Sequence, residues 1–163
     1  MDDNGIASMS EAEEIDELHR AEYFPPTTRR ALPMALLQAR ESVMARFRPM
    51  LQAHGLTEQQ WRVMRVLAEE QTLDATAIAE KANILASSLS RILKTLERKG
   101  IIIRRQSTND ARRAQIQLTD SGYSTISEIA PESLAIYADL ERDFGGGARV
   151  AELLGMLNEL ADL

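Results

Sequence analysis

Cysteine is absent from the 163 residues, which excludes disulfides, thiol nucleophiles and cysteine-based redox sensing. Histidine occurs only as His19 and His54, too few and too far apart for a histidine-rich metal site. No run approaches the roughly 18 apolar residues of a membrane span. The N-terminus is acidic and lacks a basic-then-apolar secretory pattern, so a cytoplasmic protein with no membrane partner is expected. No nucleophile–base pair, phosphate loop, metal cluster or internal repeat stands out, so neither enzyme chemistry nor a cofactor is expected. Tryptophan occurs once, at Trp61.

What is present fits a single soluble domain: 44% hydrophobic and 27% charged residues, enough to bury a core. The formal charge of −6 argues against nucleic acid until its distribution is examined. Residues 91–113 hold eight Lys/Arg against Glu97 and Asp110, a local charge of +6, which leaves −12 for the rest of the chain. A basic patch on an acidic body is the footprint of a phosphate binder, and a solvated charge run is the competing explanation. Residues 1–24 carry eight acids and one base, and Pro25-Pro26 stops any helix there, so residues 1–30 are expected to be a mobile acidic tail. Residues 31–163 then form a single domain.

Within that domain the periodicity is mostly helical. Leu36, Val43, Met44, Phe47 and Leu51 share a stripe across residues 31–53, ended by Gly55. Thr57 with Gln60 spells a capping box, with Leu56 and Trp61 placed as its hydrophobic staple. Asp74 opens a short helix, with Leu73 and Ile78 as the staple, and Asn83 interrupts it. Residues 87–100 give a third helix with Leu89, Ile92, Leu93 and Leu96 on its apolar face. Residues 101–105 and 114–119 read as two strands, joined by the turn formers Ser107, Thr108, Asn109 and Asp110. Helix returns after Thr119 to about Phe144, the glycines at 145–147 break it, and a last helix covers roughly residues 150–163.

The expected fold class is therefore mainly α with a small β-hairpin wing: a winged helix-turn-helix over about residues 56–119. The polar face of the third helix presents Ser87, Ser88, Ser90, Arg91, Lys94, Thr95 and Arg98. Short hydroxyls let the backbone approach a groove, and Arg91 can reach a phosphate or a guanine edge. A polar surface with a purely structural hairpin, serving as a winged-helix protein-interaction module without an effector, is the alternative. The basic face and wing discriminate against it.

The order of elements, with Leu96, Glu97, Gly100 and Ile102, then Asp110-Ala111-Arg112 followed by Ile116, Leu118, Thr119 and Gly122, resembles the multiple-antibiotic-resistance regulator (MarR) family of winged-helix repressors. The resemblance covers residues ~32–163. It implies a homodimeric regulator on a pseudo-palindromic double-stranded DNA operator, with residues ~31–54 and ~120–163 forming a helical dimerisation body. Arg112 matches a wing-tip arginine that enters the minor groove and Asp110 the acid that braces it, with Arg104, Arg105 and Arg113 lining phosphates. Residues 34–49 and 54–69 resemble regulators of homoprotocatechuate degradation operons, which implies a small aromatic acid effector. Arg40 falls in the apolar stripe of the first helix, so it needs a partner: an interhelical salt bridge or a ligand carboxylate. Met44, Phe47, Trp61 and Met64 are candidate pocket walls or plain core, and His54 is a candidate phenol contact or a surface residue at a helix end.

Overall fold

The computed structural model describes residues 31–106 and 114–163. Its elements are α1 (Leu32–Ala53), α2 (Glu58–Glu70), β1 (Thr72–Leu73), α3 (Ala75–Lys81), α4 (Ala86–Arg98), β2 (Ile102–Gln106), β3 (Ala114–Leu118), α5 (Asp120–Phe144) and α6 (Gly147–Ala161). The chain divides into two compact units, Met1–Val43 and Met44–Leu163. The first is described only from residue 31, as the opening turns of α1. There Leu36 and Val43, expected on the apolar stripe, are exposed.

In the second unit the helix boundaries follow local chemistry. Thr57 and Gln60 form the expected reciprocal capping box at the start of α2. Asp74 accepts from the Ala77 amide at 2.9 Å and opens α3. The ends of α1 and α4 share one geometry: Gly55 and Gly100 take left-handed φ of 63° and 70°. The following residues then reach back five positions, Leu56 N to Leu51 O at 2.8 Å and Ile101 N to Leu96 O at 3.0 Å. Asn83, at φ 49°, closes α3 in the same way, with Ile84 N reaching Ala79 O at 2.9 Å.

The two expected strands pair antiparallel with Ile102 opposite Leu118 and Gln106 opposite Ala114. The sheet nevertheless has three strands in the order β1-β3-β2, because Thr72 and Leu73 pair with Gln117 and Ile116. The two-stranded expectation is corrected there: a two-residue strand has no period of its own, and only the far partner reveals it. A second correction concerns the glycine break. Gly145 and Gly146 take φ of 106° and 100° and carry the turn, while Gly147 is already the first residue of α6, three residues earlier than expected.

One core serves the unit. Met64, Leu67, Ile78, Leu93, Leu96, Ile116 and Ile129 are buried to within 1% of fully, joined by Phe47, Met50, Leu51 and Trp61. The Phe47 ring stacks at a tilt on Tyr137 with centroids 5.0 Å apart, and Arg46 pairs with Asp143 at 2.7 Å, so the end of α1 lies along α5.

Candidate nucleic-acid interface

The apolar stripe of α4 fixes which side faces out. Leu89, Ile92, Leu93 and Leu96 enter the core, so Ser87, Ser90, Arg91, Lys94 and Arg98 are exposed and Ser88 and Thr95 half-buried. Thr95 is occupied within its own helix: its Oγ1 donates to the Arg91 carbonyl at 3.0 Å and accepts from Arg98 at 3.4 Å. Three cations thus stand on one helix face, and the single acid of α4, Glu97, is held by Arg104 of β2 at 3.2 Å.

Three side-chain contacts position this helix and the one before it. Arg62 of α2 donates from Nη1 to the carbonyls of Ala82 and Asn83, at 2.8 and 3.1 Å, and so holds the turn that leads into α4. Lys99 Nζ donates to the Gly55 carbonyl at 2.6 Å, tying the end of α4 to the end of α1. Lys81 donates to Glu70 at 2.6 Å, binding α3 to α2, and that hydrogen bond and the carboxylate charge raise the Lys81 pKa above its usual value. Sequence reasoning missed the role of Arg62, because its carbonyl partners lie twenty residues away and leave no local signal.

The wing leaves the lobe through a clasp. Thr119 Oγ1 accepts from the Gly122 amide at 3.1 Å, capping α5, and its hydroxyl lies 2.6 Å from the Gly100 carbonyl, to which it donates. A Cβ on Gly122 would meet the Ile101 carbonyl oxygen at 2.4 Å. The Leu118-Thr119-x-x-Gly122 motif therefore locks wing to helix.

Arg104 and Arg105 are both expected to line phosphates. Neighbouring strand residues point to opposite faces, and the register separates them: Arg104 sits opposite Ile116 on the core-side face, Arg105 opposite Gln115 on the other. Both are exposed, but Arg104 is engaged with Glu97. Asp110, Arg112 and Arg113 lie outside the described residues.

The candidate effector contacts are scattered in character. Phe47, Trp61 and Met64 are buried in the core, Met44 packs against it, and His54 is exposed in the turn after α1. The Arg40 side chain is 47% exposed and pairs at 2.8 Å with the adjacent Glu41. A cleft of about 440 Å³ lies elsewhere, between α3 and the wing strands, lined by Asp74, Glu80, Arg104 and Ile116 among others. It contains none of the six candidates, and its two carboxylates make it a poor receptor for an acid.

A cationic helix positioned by its neighbours beside a small antiparallel sheet defines a winged-helix nucleic-acid binder. The comparisons narrow this class. Residues 56–114 match the family model described as "MarR family". The chain is 38% identical over 133 residues, 82% of its length, to the homoprotocatechuate degradative operon repressor of Escherichia coli, of which 89% is covered. Among solved structures it resembles the transcriptional regulator PA4135, with TM-score 0.78 and 39% identity over 82% of this chain and 97% of that one. It also resembles NadR in complex with 4-hydroxyphenylacetate, with TM-score 0.73 and 37% identity over 81% of this chain and 96% of that one. The chain belongs to the MarR family: it is a DNA-binding transcriptional regulator, not an enzyme. Among the described residues no helix is long and apolar enough to cross a membrane.

Proposed function

We propose that the protein is a homodimeric repressor that places α4 in the DNA major groove and is released by a small aromatic carboxylic acid. The observation that carries the DNA half is the exposed face of Ser87, Ser90, Arg91, Lys94 and Arg98, whose only acidic helix neighbour is engaged with Arg104. Short hydroxyls allow close approach and the cations meet phosphates and guanine edges. The dimer half is supported by apolar side chains left exposed on α5 and α6, among them Leu134, Tyr137, Leu154 and Met156. The effector half is supported by the relatives: one is named for a homoprotocatechuate operon, and another is bound to 4-hydroxyphenylacetate. Arg40 is the proposed carboxylate partner.

The test is binding to genomic duplex fragments with and without hydroxyphenylacetate-type acids. The dimer selects a pseudo-palindrome with half-sites about one helical turn, ~34–36 Å, apart. If six or more phosphates are neutralised, affinity falls roughly 10³–10⁵-fold between about 50 and 200 mM salt. The acid changes Trp61 emission saturably and weakens DNA binding in step, because a ligand shifts an equilibrium only by its differential affinity for the two states. Arg40→Met retains DNA binding and loses the response. A normal response in that variant removes the carboxylate assignment, and salt-insensitive binding removes the DNA mode.

A further inference from the structure

We propose that Leu85 is a specificity-determining residue that reads the methyl group of a thymine at the operator. The inference rests on α4 being the helix that enters the groove.

The argument begins with what Leu85 fails to do. Thr57, Asp74 and Thr119 each cap the helix they precede with a side-chain hydrogen bond. Leu85 occupies the same position before α4 and makes none. Leucine is among the poorest residues there, since it offers no oxygen to the open amides of the first turn. Avoidance of negative charge near phosphate would explain the lack of Asp, but Ser, Thr and Asn would cap without charge. The position therefore gives up stability for something a hydroxyl or amide does not supply.

Leu85 is not spent on the core either. Its neighbours Ile84 and Leu89 are 7% and 2% exposed, while Leu85 is 77% exposed. It precedes Ala86, Ser87 and Ser88, whose short side chains leave the helix start able to close on a surface. An isobutyl group there can neither donate nor accept a hydrogen bond. In the major groove the apolar feature of the base edges is the thymine C5 methyl, which leaves that group as its partner. Burying both between helix and base removes from water the most exposed large apolar side chain among the described residues of this lobe.

The test uses the full-length dimer and an operator selected from random duplexes. Leu85→Ser gains a cap, so its melting temperature stays level or rises, while operator affinity falls about tenfold. The slope of affinity against salt is unchanged, because no phosphate contact is lost. Sites selected by Leu85→Ser lose a thymine preference at one symmetric position in each half-site. Replacing that thymine with deoxyuridine, which lacks only the methyl, weakens the parent protein by a similar factor and leaves Leu85→Ser unaffected. The inference is overturned if deoxyuridine is neutral at every thymine, or if Leu85→Ser selects the same sites with the same affinity. Arg91→Ala separates the two levels. If it weakens binding while Leu85→Ser does not, only the Leu85 assignment falls; if neither variant changes binding, the placement of α4 falls with it.

Discussion

Helices α4 and α6 are of similar length and similarly rich in leucine, yet they end up in opposite conditions. The 13 residues of α4 bury Leu89, Ile92, Leu93 and Leu96, whereas the 15 residues of α6 bury none. Leu153, Leu154 and Met156 of α6 are 36–54% exposed. The difference shows where each stripe finds its cover. That of α4 lies in one core cluster with Leu67, Ile78 and Ile116 of the same chain, so its orientation is fixed and its polar face is committed outward. That of α6 is matched only in part, which a second copy would complete. The comparison predicts its largest effect in α4. Leu96→Ala, at a side chain with no exposure, costs about 2–5 kcal/mol through lost burial and an unfilled cavity. Thermal unfolding should show the loss even when DNA is absent; a drop of only a degree or two would mean that α4 is less firmly seated than its burial implies.

The corresponding change in α6 should leave the fold alone and act on association. Leu154 is 54% exposed, so Leu154→Glu removes little that the single chain buries. In a dimer it sets a carboxylate against an apolar surface, for which a loss on the order of 2 kcal/mol, roughly 30-fold in dimer affinity, is expected. Sedimentation measured across a concentration series reads that shift. An unchanged dimer would place the interface elsewhere and leave the exposed leucines of α6 unexplained.

The same contrast marks what could be read from the chain. Boundaries set by a few adjacent residues were legible: Thr57, Asp74, Gly55 and Gly100 act through their own neighbours, and the stripe of α4 repeats at helical spacing over four leucine and isoleucine positions. Features whose cause lies far along the chain were not. β1 exists because Thr72 and Leu73 meet Gln117 and Ile116, and Arg62 matters because Ala82 and Asn83 fold back to it. The stripe of α1 names an apolar face without saying what covers it: in the single chain Phe47 and Leu51 are buried while Leu36 and Val43 are exposed, and Arg40 beside them pairs with Glu41. On the DNA side the cationic face of α4 was legible, but the opposed directions of Arg104 and Arg105 came only with the strand register.

The smallest effect tests what holds Arg104. Glu97 is the one acid of α4, and its carboxylate meets Arg104 at 3.2 Å with both side chains about 40% exposed. A pair this open contributes only about 0–1 kcal/mol to stability, so Glu97→Gln should melt close to the parent. Its effect on DNA should be visible, because it removes one negative charge from the cationic face and releases a guanidinium. Affinity for duplex should rise about threefold to tenfold at low salt, with a steeper salt slope if Arg104 gains a phosphate. The gain should appear on operator and unrelated duplex alike, since a charge term carries no sequence information. A fall in affinity would reverse the assignment: Glu97 would then be holding Arg104 in its DNA-binding position, and the amide would have loosened it. Binding isotherms for both duplexes at two salt concentrations separate these outcomes, because a lost brace lowers the salt slope and a lost repulsion does not.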